Sequence, residues 1–452
     1  MKDIDWLSNL KLRASWGKLG NNSIGNNEWQ ALYGSGYNYA FNSNKSNGLA
    51  MTTFSNYALE WEETAITNIG LDFGVLHNRM NGTIEVYDKK TEGILYRPTL
   101  PESLNQFTSP LQNLAGVNNK GLEITLGWND RVGDISYSVS GNLTYNKIKA
   151  TKYKGELVRE WRTDANGKKV WYQNVGTVAN GSSNLIVEGH EMNEYYMMNP
   201  YKGNGSYFNS DGTVNINGGP KDGMIRTEAD MKWLQAMFDA GYKFYPNQAI
   251  GKDKIWYGDM IYADYNGDGI YGNDDDRDFQ GVSWRPKYYF GLQASMTWKG
   301  FDLSMNWAGA AGFKIDYYKQ TQNSVSVTHG YGLGYDIAYD HYFFDPENPN
   351  DPRTNIYSET PRLVGYQNSG QASATSSWHL KNGNYIKLKN LTIGYTFPKE
   401  WMKVAFIQNA RVYLSGENLL TITKFEGSDP ERMAGDGYMP IRQYTVGVNV
   451  TF

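Results

Sequence analysis

Apolar and polar residues alternate with period 2 along most of the chain. Across 10–16 the apolar Leu10, Leu12, Ala14 and Trp16 interleave with Lys11, Arg13 and Ser15, the spacing of a β-strand with one apolar face. The pattern recurs. Ala65, Ile69, Leu71, Phe73 and Val75 share one face, and Leu122, Ile124, Leu126 and Trp128 share another. Ile135, Tyr137, Val139, Leu143 and Tyr145 follow, then Tyr288, Phe290, Leu292, Met296 and Trp298, then Phe301, Leu303, Met305 and Trp307. The last strand, 444–452, sets Tyr444, Val446, Val448, Val450 and Phe452 against Thr445, Gly447, Asn449 and Thr451. Less regular strands are predicted near 80–90, 385–397 and 409–416.

The links between these strands alternate in length. Counting back from Phe452, 416–442 is long, 398–408 shorter, 312–384 long and 299–300 tight. Then 149–285 is very long, 129–133 short, 91–120 long, 76–79 short and 17–64 long. Short turns at one end and long loops at the other are the mark of an outer-membrane β-barrel, and a soluble sandwich has no reason to keep that parity. One helix is predicted inside the longest loop, at 228–240. Thr227 and Asp230 form a capping pair, Met231, Leu234, Met237 and Phe238 repeat at helical spacing, and Gly241 stands at the C-cap.

Composition supports a barrel. Aromatic residues make up 15% of the 452, with 35 Tyr, 14 Trp and 49 Gly, yet mean hydropathy is −0.61. A strand that faces lipid on one side and water on the other cancels its own hydropathy signal. No run of 18 apolar residues occurs, so a transmembrane helix is not expected. Cysteine is absent, which removes disulfides, thiolate zinc sites and thiol nucleophiles. A net charge of −4 with scattered Lys and Arg lacks the basic excess that nucleic acid needs. Residues 1–17 include Lys2, Asp3, Asp5, Lys11 and Arg13 with no apolar core, so they do not read as a secretory signal. An exported barrel needs one, so Met1 is expected to lie inside a longer protein.

Several blocks resemble a known family. Residues 10–17 (LKLRASWG), followed by Leu19-Gly20-Asn21-Asn22, are similar to a block of the SusC/RagA TonB-linked outer-membrane proteins. So are Trp61-Glu62-Glu63-Thr64, the run 68–74 (NIGLDFG) and Asn119-Lys120-Gly121-Leu122-Glu123. The run 388–395 (LKNLTIGY), the run 416–421 (GENLLT) and Asp429-Pro430-Glu431 resemble later blocks in the same order. The resemblance implies an all-β fold: about ten antiparallel transmembrane strands forming the C-terminal part of a plugged barrel of roughly 22 strands. It implies TonB-dependent import of a glycan or peptide, outer-membrane lipid around the barrel, and an N-terminal plug and further strands upstream. It also implies a SusD-like lipoprotein as lid. The expected layout is barrel strands over 1–148, a long extracellular insertion over 149–285 and C-terminal strands over 286–452. The free end, with Gly447, Val450 and Phe452, resembles the signal by which the barrel assembly machinery recognises such proteins, and an apolar edge strand suits strand addition.

The sharpest local motif is Asp264-Tyr265-Asn266-Gly267-Asp268-Gly269-Ile270 with Asp275 at the twelfth place. Oxygen ligands at loop positions 1, 3, 5 and 12 plus a carbonyl at 7 suit structural calcium, with Gly at 6 permitting the turn. The ligands would be Asp264, Asn266, Asp268, the Ile270 carbonyl and Asp275, although the run Asp274-Asp275-Asp276 leaves the last one ambiguous. The other reading is an acidic turn without an ion, since these residue types favour turns anyway. Trp29, Tyr33, Tyr195, Tyr196 and Tyr201 stand in loops rich in amides and are candidate substrate contacts, because flat aromatic faces beside hydrogen-bonding groups suit glycans and peptides. Catalysis is not expected. The five histidines are dispersed, and no metalloprotease, nucleophile-elbow or phosphate-loop motif occurs. The alternative in another class is a secreted all-β carbohydrate-binding module or glycosidase with structural calcium, built as two packed sheets.

Overall fold

In the computed structural model the described residues are 5–452 apart from 99, 101–102, 104–106, 318–334, 364–373, 403–406 and 433–437. Ten long strands form one sheet in chain order, every neighbour antiparallel. They are β1 (Leu7–Asn21), β2 (Glu62–Val75), β3 (Met80–Tyr96), β4 (Gln112–Val132) and β5 (Ile135–Lys152). β6 (Tyr288–Trp298), β7 (Phe301–Ala311), β8 (Tyr385–Thr396), β9 (Asn409–Thr423) and β10 (Gln443–Thr451) complete it. β1 and β10 are its edges. The other sheets have two or three strands each, so among the described residues no second large sheet covers this one. The two-sheet layout of the soluble alternative is therefore not what the chain adopts.

The predicted alternation holds across the sheet as well as along it. Leu12 pairs with Leu71, then Ile84, Ile124, Leu143 and Phe290 in one continuous apolar row. A second row runs Ile135, Trp298, Phe301, Tyr395, Val412 and Val448. Many of these side chains are exposed, among them Leu12, Ile84, Leu143, Trp298, Phe301 and Val448. An apolar surface of that extent would aggregate in water and belongs against hydrocarbon. Near the short turns Trp298 stacks on Phe301 at 6.2 Å, and Phe301 meets Tyr395 at 4.6 Å, the aromatic girdle of a membrane boundary.

The parity of the links also holds, with one refinement. β3, β4, β5 and β9 run several residues past the predicted ends on the long-loop side. There the apolar alternation has stopped, because strand pairing continues beyond the membrane where neither face needs to be apolar. The tight link uses Lys299 at φ 47° and Gly300 at φ 89°, the left-handed pair that matches hairpin twist. In β8 the alternation breaks, since Leu388 and Leu391 are an odd number apart yet both face outward. Asn306 pairs with Asn390 and Trp307 with Leu388, leaving Lys389 as an extra residue. This β-bulge restores the faces, and without it one half of the strand would point its apolar side chains inward.

Several charges on the inner face are paired. Arg13 forks onto Asp72 at 2.8 and 2.9 Å and reaches Glu85 at 3.2 Å. Arg411 forks onto Asp302 at 2.8 and 2.6 Å. Lys387, 1% exposed, is held by Asp429 at 2.6 and 2.7 Å and by Glu431 at 2.9 Å, and Glu431 also takes Lys389 at 2.7 Å.

Because Ile124 lies in the middle of the outer apolar row, Ile124→Arg is expected to destabilise the barrel by about 2–4 kcal/mol in lipid. Thr125→Arg, on the inner face of the same strand, should cost far less. Refolding titrations into bilayers read both, and equal costs would refute the assignment of faces.

Candidate functional site

The residues between β5 and β6 fold into a body of their own above the long-loop end. Helix α1 (Glu228–Asp239) forms as the sequence predicts, with the Thr227 hydroxyl accepting from the Asp230 backbone N–H and the Asp230 carboxylate accepting from the Thr227 N–H. Its inner stripe is Trp233, Leu234 and Met237, all fully buried against Ile225, Phe244 and Ile255. Trp233 was not part of the predicted stripe. Its ring packs tilted against Tyr201 at 5.3 Å and edge to face against Phe244 at 6.2 Å, and its indole N–H donates to the Asn215 carbonyl.

A second core of Met198, Met224, Tyr257, Met260, Tyr262 and Tyr342 joins this body to the β7–β8 link. Arg362 grips Asp259 with both carboxylate oxygens at 2.9 and 2.8 Å, and Asp259 is 1% exposed. Burial holds the Asp259 carboxyl above its usual range, with Arg362 pulling it back. Arg226 donates to the carbonyls of Ile356 and Ser358, and the Tyr342 hydroxyl donates to the Arg226 carbonyl. Two links far apart in sequence thereby become one cap.

The candidate contact residues separate into two groups. Trp29 and Tyr33 are exposed, on the first long loop, where Trp29 lies 5.5 Å from Tyr57. Tyr195, Tyr196 and Tyr201 are corrected: all three are buried, at 3%, 3% and 7% exposure. Their hydroxyls donate to the Lys314 carbonyl, the Gln173 amide oxygen and the carbonyls of Ile216 and Gly218. They are packing residues of the cap. Glu194–Met198 is a short central strand paired on both sides, and aromatic content cannot tell a loop surface from a loop core.

The acidic loop is a tight turn. Asp264 accepts from the backbone N–H groups of Gly267, Asp268 and Gly269, Asn266 from Asp268, and Asp268 from Ile270. Asp275 is turned toward the Gln173 amide. Asp276 is the carboxylate buried against the turn, accepting from Tyr265, Gly272 and Asn273. Burial pushes it up to about 7 and raises Asp264, to which the neighbouring Asp268 charge adds. The oxygens able to hold calcium are those of Asp264, Asn266, Asp268, the Ile270 carbonyl and a carboxylate from 275–276. As they stand, no three acidic or imidazole side chains among the described residues converge on one point.

At the free end, Gly447 pairs with Tyr413, whose ring lies across it so closely that a Cβ would sit 2.2 Å from the ring. Glycine is required there for close approach. Val450 and Phe452 are exposed on the edge strand. Sequence reasoning missed the charge network around Lys387, although two lysines at period 2 facing an Asp-Pro-Glu run was a usable signal. It also missed Asp259 and Arg362, for which spacing gives none. Of the five histidines, His329 lies outside the described residues.

The family described as "TonB dependent receptor-like, beta-barrel" matches residues 5–218. TonB-dependent receptor P3 of Formosa agariphila is 25% identical over the whole chain, which covers 40% of that protein. TonB-dependent receptor SusC of Bacteroides thetaiotaomicron is also 25% identical over the whole chain, covering 38% of it. The chain thus spans about two fifths of the length of these relatives. The solved RagAB peptide transporter superposes with a TM-score of 0.66 at 22% identity, covering all of this chain and 41% of that one. That likeness speaks for the fold.

His379 gives the cap a pH dependence. It is 1% exposed, its Nε2 lies 3.1 Å from the Ala374 carbonyl, and burial lowers its pKa from 6.5 to about 4. The folded cap therefore binds fewer protons than the unfolded chain between those values. The His379 contribution to stability is fully present above pH 6.5 and falls as pH drops toward 4, by on the order of 3 kcal/mol when complete, while Asp276, raised to about 7 in the same cap, contributes with the opposite sign. On going from pH 7 to pH 5 the native cap should lose more protection from protease, or gain less, than the His379→Gln cap does; identical profiles for both proteins would refute this.

Proposed function

Given that the chain is the barrel portion of a SusC/RagA-type TonB-dependent receptor of the outer membrane, we propose that it serves energised import of glycans or peptides. The observation that carries the proposal is the ten-strand meander with an apolar outer belt, short turns at one end and a folded cap at the other. The edges β1 and β10 would be paired by the remaining strands of the complete receptor, since unpaired backbone groups in hydrocarbon cost several kcal/mol each. A plug would fill the inner face, a SusD-like lipoprotein would close the loop end, and the TonB complex would supply energy from the periplasm. Substrate is met on the loop side, where Trp29 and Tyr33 stand exposed. The chain is proposed to bind and pass its ligand unchanged. Measurable hydrolysis of an oligosaccharide by the purified receptor would favour the glycosidase alternative.

Nutrient uptake by cells carrying the complete receptor is expected to vanish when tonB is deleted, and uptake unchanged by that deletion would sink the import reading. In the same assay Trp29→Ala with Tyr33→Ala should weaken capture with the receptor still at the surface. Removing residues 450–452 should instead lose the receptor from the membrane, because β10 then lacks the end proposed for the assembly machinery.

Calcium in the 264–276 loop is proposed as a structural clip. The support is an all-oxygen donor set at the right spacing and a group of buried carboxylates that a dication would neutralise. The hairpin of Arg159–Thr163 and Lys169–Gln173 leans on this turn, with the Trp161 indole donating to the Asn266 carbonyl at 3.0 Å. Calcium with a Kd of about 0.1–1 mM should protect the cap from protease, as in other extracellular modules, and Asp264→Asn should abolish the protection. Equal digestion in calcium and in chelator would rule the clip out.

A further inference from the structure

We propose that the outer face of β3 to β5, just above the apolar belt, binds the phosphate of a phosphorylated glycolipid in the outer leaflet of the membrane. The proposal rests on the outer-membrane barrel alone, and on neither the imported substrate nor its energy source. Strand pairing fixes the height of the site. On β5 the outward residues run from Ile135, in the row of Trp298 and Phe301, to Tyr145, whose ring meets Tyr288 at 5.1 Å. Ten residues at about 3.4 Å each, on a strand tilted by about 40°, rise roughly 26 Å, the height of an apolar band between two aromatic girdles. The next outward row reads Trp16, Thr67, Asp88, Lys120 and Lys147, and the one after it Lys18, Ala65, Lys90, Asn118 and Lys149. By the same rise these rows stand about 5 and 10 Å above the belt, at the long-loop end. That is the level of the outer head groups, and a lysine stem can bend down toward them.

The charge on these two rows is lopsided, with five lysines and one carboxylate. Lys120 and Lys147 pair directly across the ladder, where like charges destabilise a sheet. Lys90 and Lys149 flank Asn118 from two strands about 10 Å apart. Nearby carboxylates offset only part of this. Asp88 takes Lys120 at 3.3 Å, Glu63 takes Lys18, and Glu191 is shared by Lys147 and Lys287. One row further up, Glu92 beside Glu63 is balanced by Lys152 beside Gly116. Lys90 and Lys149 are left over: both are exposed and make no ion pair among the described residues. Four ammonium groups around Asn118 suit a compact phosphate monoester, which carries up to two charges and three acceptor oxygens, whereas a zwitterionic lipid brings its own cation. The face does not depend on what lies beyond this chain. β3 to β5 have two strands on one side and five on the other, so further strands would join at β1 and β10 and a plug would lie on the inner face, away from these rows.

The test uses the complete receptor, purified in neutral detergent with a chelator, so that no divalent ion bridges a phosphate to Asp88 or Glu92. Native mass spectrometry reads its binding of lipid A, a glycolipid with phosphate on its sugars, against dephosphorylated lipid A and phosphatidylglycerol, with inorganic phosphate as competitor. Lipid A should be retained in preference to all three, and high salt should weaken it. Lys90→Gln with Lys149→Gln should lower its affinity roughly tenfold or more, and Lys90→Arg with Lys149→Arg should keep it. Arg131→Gln with Lys299→Gln, which removes the same charge at the short-turn end, should change nothing. All four side chains are exposed, so each variant should still resist unfolding in cold SDS, which checks that the barrel is intact. The proposal is overturned if the glutamine pair at 90 and 149 binds lipid A as the native receptor does, or if the short-turn pair loses as much. It is overturned too if dephosphorylated lipid A or phosphatidylglycerol binds equally well, or if inorganic phosphate displaces the lipid completely. A receptor that retains no lipid A, and whose oligomeric state changes in the glutamine pair, would assign this face to a second copy of the chain instead. TonB-dependent uptake is measured separately, and its presence or absence leaves these outcomes as they are.

Discussion

Inside hydrocarbon a backbone N–H or C=O has no water to turn to, and this constraint organises the molecule. An antiparallel ladder satisfies every such group only if strands follow one another without gaps, which is why the ten strands meander in chain order. The ladder also fixes side-chain direction, so a single slip in register would exchange the lipid face for the inner face over the whole strand. The extra residue at Lys389, with Asn418 at φ 52° on the strand beside it, absorbs a change of phase in the apolar period, as the register shift between Leu7 and Asn9 does at the start of β1. Ring-over-glycine pairs such as Tyr413 on Gly447 and Tyr87 on Gly121 serve the same end, filling the space over a residue that has no side chain of its own.

The inner face answers a second electrostatic demand. A charge beside a low-dielectric wall is costly unless it is paired and hydrogen-bonded, and the inner arginines and lysines described here each have a carboxylate. The two-oxygen grip of Arg13 on Asp72 and of Arg411 on Asp302 spans neighbouring strands or a strand and its next-but-one neighbour, so the same pairs that neutralise charge also resist shear.

Above the membrane the rules change. The cap is a water-side fold with its own helix, its own aromatic core and a buried Asp259–Arg362 pair joining two links that are distant in sequence. Among the described residues it contains most of the fully buried large side chains, Trp233, Tyr262, Tyr342 and Phe244 among them. The barrel, by contrast, keeps its apolar side chains on the outside. One chain thus uses aromatic residues in three roles: as membrane girdle, as loop core and as exposed loop surface.

Period 2, turn parity and the capped helix were legible in the sequence because each depends on neighbours in the chain: side-chain alternation, hairpin dihedrals and the first turn of a helix are local physics. The membrane class followed from the same alternation, since an apolar row repeated strand after strand has only lipid to face. The roles of the loop residues were not legible. Tyr195, Tyr196 and Tyr201 look like Trp29 and Tyr33 in composition, and only long-range packing places the first three in a core and leaves the other two in water. The same holds for Asp276 over Asp275 as the buried carboxylate of the acidic turn, and for the lysines gathered on the outer face of β3 to β5. These depend on which strand lies beside which and in what register, a relation between segments far apart that only the assembled sheet decides.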